Sequence, residues 1–271
     1  MSNSESNETL TRMGPGAAMG RVFRQFWQPA LLSEELPVAD CPPVRVRLMG
    51  EDFVAFRDSS GKVGLLDAHC PHRLADLFFG RNEEGGLRCV YHGWKFSVAG
   101  EILDMPSEPQ GSPMRCNPNL RAKAYPVREA GGIIWAYLGP QESMPALPDM
   151  EFMSLPPQNV HVSKCLMKCN YLQALEGSID TAHLTFLHHS MAPMEKDVFA
   201  VGNLQEFGDA DGAPRFFCED TDFGMRISAR RDGGNGNYYW RITQWLMPNY
   251  VLVPTAEGLV CRANLFIAID D

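Results

Sequence analysis

Short runs of alternating apolar and polar residues occur along much of this chain, and they predict strands. Val44-Arg45-Val46-Arg47-Leu48 is one such run, and the short apolar run Phe53-Val54-Ala55-Phe56 predicts a second strand, with Ser59-Ser60-Gly61 as a hairpin turn. Gly131-Gly132 ahead of Ile133-Ile134-Trp135-Ala136-Tyr137 predicts a closing strand. Further on, Arg215-Phe216-Phe217, Met225-Arg226-Ile227 and residues 238–245 predict three more, with Asp232-Gly233-Gly234-Asn235-Gly236 as a turn. Helical spacing occurs near residues 19–27 and from Asn170 to His183, where Leu172, Leu175, Ile179 and Leu184 are the apolar neighbours. Residues 1–9 are polar and predict a disordered start, and the proline-rich run 140–157 predicts a domain boundary. Strands in succession around one long helix indicate an α+β fold. No internal repeat is present.

Composition narrows the classes of function. With 271 residues the chain has room for two domains or one large one, and 45% hydrophobic residues allow a real core. A net charge of −9 argues against nucleic acid or an anionic membrane as a partner. No run approaches the ~18 apolar residues of a membrane span. The start of the chain lacks the apolar stretch of a secretory signal. The eight cysteines are scattered rather than dense, which predicts reduced thiols and a cytoplasmic location. Cys165 and Cys169 are expected to be buried small hydrophobes.

Candidate chemistry lies first in Cys70-Pro71-His72 and, sixteen residues later, Cys89-Val90-Tyr91-His92. Two thiolates and two imidazoles at this spacing suit a Rieske [2Fe–2S] centre, whose histidines raise the potential above that of an all-cysteine cluster. A tetrahedral zinc site is the alternative, but structural zinc pairs are usually separated by two or more residues, and here only Pro71 intervenes. Gly80, Gly85 and Gly86 are expected to loosen the connection. Gly93 lets the backbone come close to the cluster, and Trp94 and Phe96 could exclude water behind it.

The second candidate is the helical stretch itself. Glu176, Asp180 and His183 stand at i, i+4 and i+7, one stripe of a helix. His183 and His188 would sit roughly 140° apart on a regular helix, so they share a metal only if the helix ends or tightens between them. Two histidines and a carboxylate from elsewhere would hold a non-haem Fe(II) with open positions. The alternative is a solvated helix with capping histidines near its C-terminus. Arg226 and Arg241 are candidates for a substrate carboxylate, because a guanidinium offers a bidentate fork.

Together the two motifs resemble the oxygenase component of Rieske non-haem iron oxygenases, of the phthalate 4,5-dioxygenase type. The resemblance is carried by His69-Cys70-Pro71-His72-Arg73, by Cys89 through Phe96, by Asp104-Met105-Pro106-Ser107-Glu108-Pro109 and by Gln173-Ala174-Leu175-Glu176-Gly177. It implies an N-terminal arm over 1–24, a mostly antiparallel β Rieske domain over 25–145, and the first part of a helix-and-sheet catalytic domain over 146–271. Cys70, His72, Cys89 and His92 would hold the cluster, and His183 and His188 the mononuclear iron. Asp180 would bridge to the cluster of a neighbouring subunit in a ring, usually a trimer, and Glu176 matches the acidic residue opening the second motif. An NAD(P)H-dependent reductase would supply electrons, and the substrates would be dioxygen and an aromatic carboxylate such as phthalate or a related aromatic, with hydroxylation or O-demethylation as the outcome.

The chain departs from that pattern at its end. The family's third iron ligand is an aspartate further downstream, so the catalytic domain is expected to be incomplete at residue 271. Asp270 and Asp271 are the acids left to reach iron. Rival readings are a Rieske-type electron-transfer protein, a zinc-stabilised binding protein, or an inactive truncated oxygenase.

Overall fold

A computed structural model describes residues 4–188, 207–208, 211–254 and 262–271. The chain forms two compact units, one of residues 1–166 with 268–271 and one of 167–267. The sheets are antiparallel throughout, as the α+β reading requires.

The first unit contains three small sheets. Val44–Leu48, Glu51–Arg57, Val63–Asp67 and Ala124–Tyr125 form one in that order. Gln28–Leu32 pairs with Ile133–Ala136, which pairs with Val127–Ala130. The third runs Arg81–Glu83, Gly86–Arg88, Lys95–Phe96 and Ile102–Asp104. The expected Ser59-Ser60-Gly61 turn joins Glu51–Arg57 to Val63–Asp67, tied by the Asp58 carboxylate, which accepts from the N–H groups of Ser60 and Lys62. Gly85, expected to loosen the cysteine connection, instead turns a tight hairpin at φ 81°. Val54, Phe56, Leu66, Leu77, Leu87, Trp94 and Phe96 pack with Cys70 and Cys89 in one core cluster. The candidate thiols therefore belong to the core itself.

Several elements differ from the expectations. Residues 4–11 form a helix rather than a disordered arm, closed by the Thr9 and Thr11 hydroxyls on the carbonyls of Glu5 and Asn7. The next helix is shorter than the pattern predicts, Ala18–Phe23. The first unit extends past the proline-rich run because that run folds back on it. The Trp27 indole donates to Pro145 O, and Lys164 pairs with Glu35. The final residues return to the first unit as well. Met49 N–H donates to Ala268 O at 2.9 Å, and Asp271 accepts from Met13 N–H at 2.7 Å. Asp270 lies 3.8 Å from Arg47. Both terminal acids thus have partners far from any histidine pair in sequence. Cys165 and Cys169 are exposed rather than buried, since 163–169 is an irregular stretch outside any helix or sheet.

The second unit is a five-stranded meander: Arg215–Thr221, Gly224–Asp232, Tyr238–Leu246, Tyr250–Val253 and Arg262–Leu265. Strand alternation puts Ile227, Ala229 and Arg231 on its buried face, with Arg241 and Thr243 of the next strand. Tyr238, Trp240 and Ile242 are exposed. Helix Tyr171–Ile179 packs on this sheet, tied by Asn264 to Ser178 at 3.0 Å.

Candidate metal centres

Two loops with one backbone design build the first centre. Cys70 N–H donates to Ala75 O at 2.8 Å, and Leu74 N–H to Cys70 O at 2.9 Å. Cys89 N–H donates to Trp94 O at 2.8 Å, and Gly93 N–H to Cys89 O at 3.1 Å. In both loops the fourth residue after the cysteine is left-handed, Leu74 at φ 57° and Gly93 at φ 76°. The two positions differ in tolerance. A Cβ on Gly93 would lie 2.7 Å from Pro106 Cγ, whereas Leu74 projects into solvent. Arg88 clamps the second loop, donating to Gly93 O, Asp104 and Glu83 at 2.8, 2.8 and 2.7 Å. Hydrogen bonds to Asp104 and Glu83 raise its affinity for its proton, so the clamp stays charged.

The four ligand candidates fall into two pairs. Cys70 and Cys89 are buried side by side. Burial pushes the Cys70 thiol up to about 11, while the N–H groups of His72 and Arg73 point at its sulfur and pull it down. The imidazoles of His72 and His92 lie 4.5 Å apart at 64°. Burial, then His92 and Arg73, hold His72 below the usual imidazole range, so its neutral, metal-binding form is favoured. Its Nδ1 atom is buried without a hydrogen-bond partner, the state expected of a donor atom reserved for a metal. Among the described residues no three His, Cys, Asp or Glu side chains converge on one point. Zinc needs four donors about one centre, whereas two irons bridged by sulfide each need two from the protein. The residues fit the cluster.

The second centre arises where the helix stops. Helix Tyr171–Ile179 starts at Asn170, whose side chain caps Gln173 N–H at 3.0 Å. The expected i, i+4, i+7 stripe does not continue, because Asp180 is extended at φ −72°, ψ 135°. Its carboxylate accepts the N–H groups of Ala182 at 2.9 Å and His183 at 3.1 Å, an alternative to helical bonding. The chain then makes the short helix Leu184–Leu187, with His183 at its N-cap and His188 at its C-cap. That break solves the angular problem. The two rings lie 5.3 Å apart at 60°.

His183 Nδ1 is 2.8 Å from Asp180 Oδ2, which leaves Nε2 as the free donor atom. Burial pushes the Asp180 carboxyl up, but the Ala182 N–H, the His183 ring and the His183 N–H together bring it below its ordinary range. The carboxylate is thus ionised and orients the ring. Glu176, expected on the same stripe, is exposed, and its backbone carbonyl accepts Asp180 N–H at 3.0 Å. Two imidazoles fit an iron with open positions, and the described residues add no third protein ligand beside them.

Arg231 is the residue that sequence reasoning missed. Although a guanidinium, it is 1% exposed, and its Nη2 donates to Thr181 O at 2.9 Å, between Asp180 and His183. Its Nε and Nη1, and the Nε of buried Arg241, have no hydrogen-bond partner. Burial lowers the proton affinity of both arginines. Strand parity could have found it, since 227, 229 and 231 share a face. The same parity separates the two predicted carboxylate binders: Arg241 faces in, while Arg226 faces out and meets Glu219 at 3.2 Å.

A Rieske [2Fe-2S] domain model matches residues 26–126, and a model described as LigXa C-terminal domain like matches 136–271. The chain is 40% identical to the 3-chlorobenzoate-3,4-dioxygenase oxygenase subunit of Comamonas testosteroni, over 100% of this chain and 62% of that protein. It is also 40% identical to the phthalate 4,5-dioxygenase oxygenase subunit of Pseudomonas putida, again over 100% and 62%. The chain therefore spans about three fifths of the length of these relatives. A crystal structure of dicamba monooxygenase bound to dicamba shares the fold, with a TM-score of 0.65 at 23% identity over 89% of this chain and 71% of that one. Matching family models across both units, and relatives 40% identical over the whole of this chain, place it in the Rieske non-haem iron oxygenase family, among oxygenase subunits of the phthalate 4,5-dioxygenase type.

Proposed function

We propose that the chain acts as the oxygenase component of a multicomponent system that hydroxylates or O-demethylates an aromatic carboxylate. The observation that carries this reading is the His183–His188 pair with Asp180 on the rear nitrogen of His183, a device for which a pure electron carrier has no use. We assign Cys70 and Cys89 to one cluster iron, His72 and His92 to the other, and His183 and His188 to the mononuclear iron. The cluster supplies electrons one at a time, and the mononuclear iron supplies dioxygen activation.

The chain's own residues do the rest. Asp180 keeps the Nδ1 proton on His183 and raises the ring's basicity. In a ring of subunits we assign it to the electron path from a neighbour's cluster. Glu176, exposed on the helix that ends at Asp180, is kept as a candidate catalytic acid of the same motif. An NAD(P)H-dependent reductase is the electron donor proposed, and the cytoplasm the location. All seven described cysteines are free, and no described helix is long and apolar enough to cross a membrane. The carboxylate assignment rests on Arg231 and Arg241, whose buried unpaired donors favour an anion. The relatives named for 3-chlorobenzoate and phthalate agree with it.

The first test counts iron, acid-labile sulfide and zinc in protein purified without oxygen. Three irons and two sulfides per chain are expected if both centres fill. Two of each would favour the second reading, an electron carrier or an inactive oxygenase, because no third candidate donor joins His183 and His188 among the described residues. Zinc without sulfide would remove the redox reading. With reductase present, aromatic carboxylates should turn over and their amides should not, and Arg241→Met should lose that preference.

A further inference from the structure

The two histidines of the first centre sit in unequal surroundings. The His72 ring lies flat on the indole of Trp94, with centroids 4.4 Å apart and planes within 2°. Trp94 is 0% exposed and is among the largest fully buried side chains of the chain. Its Nε1–H donates to Ser107 Oγ at 3.3 Å, and its carbonyl closes the second loop by accepting Cys89 N–H. The indole is therefore fixed from both ends. His92 instead lies against Tyr91, at 4.0 Å and 37°, and Tyr91 is 64% exposed. One imidazole rests on an immobile apolar wall and the other on a solvent-facing phenol.

We propose that Trp94, anchored by Ser107, is a positioning residue that fixes the His72 ring and lowers the reduction potential of the cluster. The proposal rests on the assignment of His72 as an iron ligand. Two physical effects act in the same direction. The face of an indole is electron-rich, so it stabilises a neighbouring ring more when that ring carries more positive charge, as it does on the oxidised cluster. Without the indole, water could approach the His72 side, and water stabilises the more negative, reduced cluster. Both effects disappear when the indole is removed, and the potential rises. The exclusion of water does not act on His92, whose neighbour Tyr91 is already exposed.

The test is a redox titration of the holoprotein followed by electron paramagnetic resonance, with the nitrogen couplings of the two histidines resolved separately. Wild-type protein must first show the two-histidine signature of a Rieske cluster, and without it the ligand assignment fails before Trp94 is considered. Trp94→Leu should raise the midpoint potential and change the coupling of one histidine nitrogen only. Trp94→Phe, which keeps a ring in the slot, should give a smaller rise with full cluster content. Ser107→Ala should broaden the same coupling. Should Trp94→Leu fail to assemble, Trp94→Phe decides. A wild-type potential and wild-type couplings in Trp94→Phe, at any cluster content, would reduce Trp94 to packing and overturn the proposal.

Discussion

Asp180 shows how much one carboxylate can do at a helix end. It stops the helix by capturing two N–H groups, and the same group sets the tautomer of His183. Asp180→Asn keeps the size and one acceptor but loses the charge. Outer partners of metal-bound histidines typically matter by roughly 10- to 100-fold in affinity or activity. Turnover per reduced cluster should fall by about that factor, with the first centre still filled. Turnover at the wild-type level would remove Asp180 from the electron path. Much of this residue's importance was legible in the sequence, because its spacing from His183 and His188 is distinctive. Its role as a helix breaker was not, since Asp also fits a regular i, i+4, i+7 stripe. Arg231 was hidden for another reason: an arginine in a strand is usually solvated, and only burial under other elements makes it exceptional.

At the level of elements, the two cysteine loops share one hydrogen-bond scheme but carry their histidines at different offsets, two residues after Cys70 and three after Cys89. The left-handed residue of each loop gives an asymmetric expectation. Leu74→Gly removes the cost of a left-handed side chain and should raise stability by about 0.5–1 kcal/mol, after allowing for glycine's extra chain entropy. Gly93→Ala adds that strain and the overlap with Pro106, and should cost at least about 2 kcal/mol and lower cluster content. Urea unfolding of the two variants with sulfide analysis checks both, and equal effects would show that the loops are not built as described. Gly224–Asp232 and Val44–Leu48 were readable from alternation because one face of each is buried, whereas Glu51–Arg57 and Ile133–Ala136 are buried on both faces and were readable as short apolar runs. The hairpin at Gly85 was not. Glycines signal permissive backbone without saying whether it is tight or loose.

The molecule as a whole has an exposed connection, residues 163–169, at the junction of its two units. Lys164 and Lys168 lie in it, and Leu166 is 71% exposed. Limited trypsin digestion should cut there first, because exposed backbone without a sheet partner is easily accommodated by a protease. The N-terminal fragment carries all four candidate cluster ligands and the core around them, so it should stay brown and keep its Rieske spectrum. Early cleavage inside the Rieske sheets, or a bleached fragment, would contradict the compactness of the first unit. The proline-rich run was expected to be the junction. Proline marks where regular structure stops, but it does not say whether the chain then leaves the domain or lies back upon it.

By itself the sequence determined the antiparallel α+β plan, the two ligand motifs and the family resemblance. Those follow from local periodicity and from spacings that few chemistries share. Only the tertiary structure decided which polar groups are buried and what they face. It paired thiol with thiol and imidazole with imidazole, laid Trp94 flat on His72, turned Arg231 inward and Glu176 outward, and returned Asp271 to the first unit. The reason is physical. The desolvation that makes a buried thiol, carboxylate or guanidinium chemically unusual depends on neighbours distant in sequence, and no local pattern encodes them.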